Sequence, residues 1–370
     1  MLSASRRAVV RSKTFSNCVR SVVNGRRYDR NIRRVCIPKN AASASETAKG
    51  PPIDAPSNAM IVGGGPAGLA TAIMLARRGW TNIRVYERLS PPPTPESAAW
   101  GDPYRSYNMG LTGRGQAVLK NLDVFDRVER YCAVTAGRMD WNPGSDKANE
   151  RIFKNKGYTP LIISRDRLTS CLLQEIEERY TDQITEIVFN CECTAAEWVI
   201  VGKNEFVKTT FETEGVHGAI KTVEALAPFV VGADGAGARI RNTMESDAQS
   251  QQAKFKVKRY DDDNVRVYKT LPLHLPKGWR GDLNYSARTK SGLNLDALPT
   301  KEGAMIAVVL FRPEDTRVTE LASVSEAKAL FQEHFPQFAP MLHEEDLAQF
   351  VQKPVSKLPT FTFCGPVLHR

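Results

Sequence analysis

Three glycines and one carboxylate stand at a spacing that suits a bound diphosphate. In "MIVGGGPAGLATAIMLARRGW", residues 60–80, Gly63, Gly65 and Gly68 follow directly on the apolar run Ala59–Val62. Glu87 closes a second strand-like run, Ile83–Tyr86, nineteen residues beyond Gly68. In such an arrangement the first glycine permits a tight turn, the second lets a pyrophosphate approach the backbone, and the third lets a helix pack closely on a strand. A helix starting there turns the positive end of its dipole toward the phosphates. A carboxylate at Glu87 is placed to accept hydrogen bonds from an adenosine ribose.

A second glycine turn, "FVVGADGAGARIR" at 229–241, lies far downstream. The apolar run Phe229–Val231 feeds Gly232, Ala233, Asp234 and Gly235, then Gly237 and the Arg239/Arg241 pair. Two readings are open. A later strand of the same sheet would bring Asp234 to the same cofactor, because ligands lie across strand ends. Alternatively, this is a surface turn made by Asp-Gly chemistry. Arginines add a third feature. Arg165 follows the strand-like Leu161–Ile163 and Ser164, and Arg105 and Arg114 flank a loop before a helical pattern. At such junctions a guanidinium meets a phosphate or an anionic substrate, or else is simply solvated.

The elements that position these groups alternate between strand and helix. "LATAIMLARRG" carries Leu69, Ile73 and Leu75 with small alanines between them and stops at Gly79. Thr112 is placed to cap a helix whose Val118, Leu119, Leu122 and Phe125 recur at helical spacing. After Arg165, the residues Leu168, Leu172, Leu173 and Ile176 mark another inward face. Beyond about residue 250, segments such as "NVRVYKTLPLHL" and "GAMIAVVLF" read as antiparallel strands between Gly/Pro/Asp turns. The expected class is therefore α/β: a Rossmann-like domain with an inserted or second, mostly antiparallel β-sheet walling a substrate. The expected division is a basic segment and linker over 1–57, a dinucleotide domain with part of the substrate-facing sheet over 58–248, and a substrate domain over 249–370.

Charge excludes one class of partner. The 370-residue chain carries a formal charge of +10, but residues 1–57 hold nine Arg and three Lys against three acids. The rest is nearly neutral, so the folded body offers no basic groove for nucleic acid. Rich in Arg, Ser and Ala and without a long apolar core, the first segment has the composition of an organelle transit sequence. A mitochondrion is the simplest destination and a plastid the alternative; a plain disordered basic tail would share this composition. The seven cysteines include no CxxC pair and the five histidines are scattered, so neither a disulfide framework nor a zinc site is expected. No membrane span is expected in this stretch of chain.

The combined motifs resemble the FAD-dependent aromatic-ring monooxygenases, and among them the kynurenine-hydroxylating branch. The likeness rests on Gly63–Gly68 with Glu87, "YNMGLTGRGQAVL" (107–119), "LIISRDRL" (161–168), "VVGADGAGARIR" (230–241) and "FQEHFPQFAPML" (331–342). It covers roughly 59–245 well and 250–370 more loosely. The resemblance implies that NADPH reduces FAD, and that a C4a-hydroperoxyflavin formed with molecular oxygen hydroxylates an aromatic ring. The implied reaction is L-kynurenine to 3-hydroxykynurenine, with no metal required. The alternatives are another flavin-dependent hydroxylase or epoxidase of this fold, or a flavoprotein fragment without catalysis. By the same likeness, Gly63, Gly65, Gly68, Glu87, Arg165, Asp234 and Gly235 serve the cofactor. Arg114 meets the carboxylate of the amino-acid substrate, and Tyr285 is a candidate aromatic wall.

Two departures qualify the likeness. "GDLNYSARTKSGLNLDALPTKEGAM" (281–305) is longer and more polar than the family's corresponding segment, which leaves the exact substrate open. The chain also reaches "FTFCGPVLHR" without the family's downstream Gly-Asp flavin motif or the hydrophobic anchor common in the kynurenine branch. The expectation is thus an incomplete catalyst that retains flavin weakly, with membrane contact only through a further C-terminal segment.

Overall fold

The computed structural model describes residues 34–35, 58–101, 107–154, 156–214, 219–250, 255–259, 265–358 and 362–365. Apart from 34–35, the basic segment 1–57 lies outside the described residues, as do Arg105 and the final five residues.

The strands Ala59–Val62 and Ile83–Tyr86 are buried at every position, the signature of parallel strands covered on both faces. They sit in a five-stranded sheet ordered Arg34–Val35, Ile184–Val188, Ile83–Tyr86, Ala59–Val62 and Phe229–Gly232. All pairings are parallel except that of the Arg34–Val35 edge. Strand alternation divides the side chains between two cores. Ala59 and Ile61 pack with Leu69, Ile73, Leu168, Leu172 and Ile176, from the helices Pro66–Arg77 and Arg165–Arg179. Met60 and Val62 face the opposite way, toward a three-stranded antiparallel meander formed by Glu192–Val201, Asn204–Glu214 and Ile220–Ala227. There the Tyr86 ring stacks on Phe211 with centroids 4.2 Å apart.

The second sheet has seven strands, in the order Ser356–Lys357, Val267–Leu273, Met305–Phe311, Asn294–Pro299, Leu283–Arg288, Gly137–Trp141 and Ala148–Ile152. It is antiparallel except where Leu283–Arg288 runs parallel to Gly137–Trp141. A hairpin from the first half of the chain thus completes a sheet built mainly by the second half. The helices Val324–His334 and Glu344–Gln352 cover one face, where Phe331, Phe335, Phe338 and Phe350 are fully buried. The α/β class, with a Rossmann-like parallel sheet and a separate mostly antiparallel sheet, is therefore present. Among the described residues no helix is long and apolar enough to cross a membrane.

Two local expectations need correction. Thr112 occupies the position before the helix Gly113–Asn121, but its side chain makes no capping hydrogen bond. Val118 is 52% exposed, so Leu119 and Leu122 carry the buried face of that helix. By contrast, Ser164 caps Arg165–Arg179 through its Oγ, which accepts from the Arg167 amide at 3.3 Å.

Candidate functional site

The glycine turn is built by backbone approach. Gly63 has φ +106°, in the region that favours glycine, and its amide donates to the Tyr86 carbonyl at 2.8 Å. A Cβ on Gly68 would lie 1.8 Å from the Gly63 carbonyl oxygen, so the helix Pro66–Arg77 is seated directly against the turn. Gly65 differs. A Cβ there would meet only the Arg165 guanidinium, at 3.4 Å, and otherwise would point into open space. The helix starts at Gly65 without a side-chain cap and has no acidic residue in its first turn. Its first amides therefore face that space without an acidic side chain from the helix's own first turn.

Glu87 closes the opposite side. Its Oε2 accepts from the Gly64 amide at 2.6 Å and its Oε1 from the Leu89 amide at 2.9 Å. The remaining lone pairs of the carboxylate leave acceptor capacity. Gly64, Gly65, Glu87 and Arg165 line a cleft of about 220 Å³, together with Pro91–Pro93, Trp100, Asp166, Thr169 and Phe189. Arg165 itself is steered by Asp166, whose Oδ1 accepts from Nη1 at 3.0 Å. Nearby, burial pushes the Tyr107 phenol above its usual range, while the positive charge of Arg165 opposes that rise.

The proline wall and its fastening are features that motif reasoning missed. Arg167 is 8% exposed and donates through Nε to the Pro95 carbonyl at 3.1 Å, while its Nη1 pairs with Glu302 in the turn between Asn294–Pro299 and Met305–Phe311. Ser170 Oγ donates to the Pro93 carbonyl at 2.5 Å, and the Trp100 indole donates to the Thr94 carbonyl at 2.7 Å. The available signal was the run "SPPPTPE" (90–96), directly after the strand-ending carboxylate. A separate three-stranded sheet of Asn108–Leu111, Leu161–Ser164 and Ala133–Val134 meets the seven-stranded sheet at Asn108, whose Nδ2 donates to the Pro299 carbonyl at 3.2 Å.

The second glycine turn lies against the first. Ala233 donates to the Val62 carbonyl at 2.7 Å, and a Cβ on Gly63 would fall 2.3 Å from the Ala233 oxygen. Asp234 has a structural role in this turn. Its Oδ2 accepts from the Arg239 amide at 2.6 Å and the Ile240 amide at 3.2 Å, which caps the helix Arg239–Ser250. Its Oδ1 is buried without a protein partner. Gly235 has φ +80° and open space beside it, so its backbone conformation explains the glycine.

The two proposed substrate residues lie elsewhere. Arg114 is exposed on the first turn of Gly113–Asn121 and is not among the residues lining the cleft. Tyr285 is a core residue, which corrects the expectation of a ligand-facing wall. It is 2% exposed, stacks on Trp141, meets Trp279 at a tilt, and spends its hydroxyl on Arg280. That hydroxyl donates to the Arg280 carbonyl at 2.8 Å and accepts from the Arg280 amide at 3.1 Å.

The arrangement fits FAD on two observations. The space above Gly65 is open and faced by a guanidinium, and the buried Asp234 Oδ1 beside the glycine turn lacks a donor. Comparison with known proteins agrees. A family model described as "FAD binding domain" matches residues 57–337, more than half of the chain. Kynurenine 3-monooxygenase of Cryptococcus neoformans var. neoformans serotype D is 25% identical over 321 residues, covering 83% of this chain and 60% of that protein. Kynurenine 3-monooxygenase of Stenotrophomonas maltophilia is 25% identical over 319 residues, covering 82% of this chain and 62% of the relative. The chain thus spans about three fifths of the length of these relatives. Among solved structures, a 2-methyl-3-hydroxypyridine-5-carboxylic acid oxygenase variant superposes with a TM-score of 0.57 at 20% identity. That match covers 84% of this chain and 71% of the other, and it supports the fold.

Proposed function

We infer, from the premise that this chain belongs to the FAD binding domain family, that it carries the cofactor-holding part of an aromatic-ring monooxygenase. The observation that carries this reading is the open, guanidinium-faced space above Gly65 at an uncapped helix start. The amides that begin Pro66–Arg77 and the Arg165 side chain would hold the FAD pyrophosphate. Glu87 would accept from the adenosine ribose with the lone pairs left by Gly64 and Leu89, while Pro91–Pro93 and Trp100 would supply apolar wall. The Asp234–Gly235 turn, packed on Gly63, would complete the same cofactor site rather than a second one.

When bound, the flavin supplies hydride acceptance and oxygen activation, with NADPH as the proposed reductant. The protein's own contribution is orientation and exclusion of water from the reacting ring. L-kynurenine, converted to 3-hydroxykynurenine, is the proposed substrate, supported by the 25% identity to two kynurenine 3-monooxygenases. On this reading Arg114 meets the amino-acid carboxylate with its planar fork. The test is NADPH consumption with a panel of aromatic amino acids and phenols, with products identified by mass. A product 16 mass units heavier than kynurenine (about one oxygen atom) is expected. Consumption stimulated only by another ring compound, with that compound oxygenated, would move the substrate assignment.

The basic segment 1–57 is further proposed to direct import into a mitochondrion, on the strength of its Arg/Ser/Ala composition. A fluorescent fusion of these residues should concentrate in that organelle. Plastid labelling would change the compartment, and diffuse cytosolic signal would refute import.

A further inference from the structure

Two of the five histidines, His274 and His343, come together beside the seven-stranded sheet. His274 directly follows the strand Val267–Leu273, and its amide donates to the Met341 carbonyl at 2.9 Å. His343 immediately precedes the helix Glu344–Gln352, and Asp346 lies in the first turn of that helix. Asp346 is 7% exposed, whereas both histidines are exposed. Its Oδ2 is 2.9 Å from His274 Nε2 and accepts from the His343 amide at 3.3 Å. The two imidazole rings stack with centroids 3.9 Å apart and planes within 6°. One donor atom from each of the three side chains lies within 4.8 Å of the others.

We propose that His274, His343 and Asp346 form a binding site for a divalent first-row transition ion, with zinc as the expected occupant. No zinc site is expected from the sequence, because residues 274 and 343 are far apart in the chain. Two imidazoles and a carboxylate are a donor set suited to zinc, and three protein ligands leave a fourth position for water. Zinc–nitrogen and zinc–oxygen bonds of about 2.0–2.2 Å put ligand atoms on one ion roughly 3–3.5 Å apart. The His274–Asp346 pair, now hydrogen-bonded at 2.9 Å, needs to open by only a few tenths of an ångström to reach that spacing. The remaining closure falls to His343. A bound ion lies in the plane of each imidazole that ligates it, so parallel stacked rings cannot both point at one ion. His343, exposed at the helix start, must turn out of the stack and release the Asp346 amide, from which its side chain accepts in the helix capping box. Glu344 and Glu345, exposed in the same turn, add negative potential that offsets the positive helix end.

The consequence is a clamp. The ion would tie the end of Val267–Leu273 to the start of Glu344–Gln352, the helix that contributes the buried Phe350 to the core beneath. Nothing in this assignment depends on the flavin or on catalysis. The direct test is calorimetric titration of the chelator-treated chain with zinc chloride, paired with cobalt(II) absorption. One saturating equivalent is expected, with the visible bands of a nitrogen/oxygen site. His274→Ala, Asp346→Asn and His343→Ala should each weaken binding by at least about 100-fold, beyond the effect typical of outer-shell partners. His334→Ala should leave binding unchanged. His343 is exposed, so its variant keeps the test sound even where replacing the buried Asp346 disturbs folding; circular dichroism verifies the fold. Absence of saturable binding, binding retained by His343→Ala, or a thiolate-to-cobalt charge-transfer band would each overturn the proposal.

Discussion

Glu87 Oε2 accepts a hydrogen bond from the Gly64 amide at 2.6 Å, so the carboxylate that ends the second strand also fixes the turn that ends the first. Its other oxygen holds Leu89, where the chain leaves the sheet toward the proline wall. One side chain thereby sets the spacing between the glycine turn and the cleft's apolar side.

Glu87→Ala should therefore loosen the empty protein as well as weaken its cofactor affinity. Hydrogen bonds to a charged group contribute about 1.5–3 kcal/mol each, and water can compensate part of that here. A loss of about 2 kcal/mol in urea unfolding is expected. An unchanged midpoint in cofactor-free protein would show that these contacts contribute nothing to stability.

Glycines that look alike in sequence should respond differently to alanine. Gly68→Ala forces a Cβ to within 1.8 Å of the Gly63 carbonyl, a clash with backbone that no rotamer relieves. Its cost should exceed the roughly 1–3 kcal/mol usual for overpacking. Gly235→Ala meets open space and bears only the left-handed backbone conformation, about 1–2 kcal/mol. Paired denaturation curves check the order, and a milder Gly68 variant would contradict the packing.

This contrast marks what could be read from sequence. The glycine spacing, Glu87 and the helix after Arg165 were legible because each depends on neighbours within a few turns of chain. Asp234 was legible only as two alternatives, and the structure uses it for a helix cap while leaving Oδ1 buried and unpartnered. Tyr285 was misread because burial in the seven-stranded sheet depends on distant partners. Those include Gly137–Trp141, which pairs in parallel across some 145 residues. The histidine cluster escaped for the same reason: residues 274 and 343 are adjacent only after the sheet and helices assemble.

Cysteine titration should follow burial. The thiols of Cys132 and Cys171 are pushed from the ordinary 9.0 up to about 12, chiefly by desolvation. Because the folded state keeps these protons longer than the unfolded state, their stabilising effect is complete below pH 9. It is lost as pH rises from 9 toward 12. At pH 8, native protein should resist iodoacetamide at both positions, and urea should expose them. Mass-spectrometric detection of rapid native alkylation would contradict the burial.

Arg114→Met should raise the apparent KM for kynurenine, while flavin content stays unchanged, if its guanidinium meets the substrate carboxylate. A loss of about 10- to 100-fold in kcat/KM fits removal of a charge-assisted hydrogen bond. Steady-state rates from a catalytically competent preparation decide it, and equal kinetics would assign Arg114 to the solvated surface.

The most direct test of the cofactor site is flavin occupancy in Gly65→Val. Alanine-sized space above Gly65 is bounded only by Arg165, so valine should remain compatible with the fold while filling the path of the pyrophosphate. FAD content would be measured by visible absorbance after reconstitution and gel filtration, with circular dichroism confirming equal folding. The expected result is flavin bound by the parent chain and occupancy reduced at least about tenfold in the variant, a difference near 1.4 kcal/mol. Equal flavin content in the two proteins would contradict placement of the cofactor in this cradle.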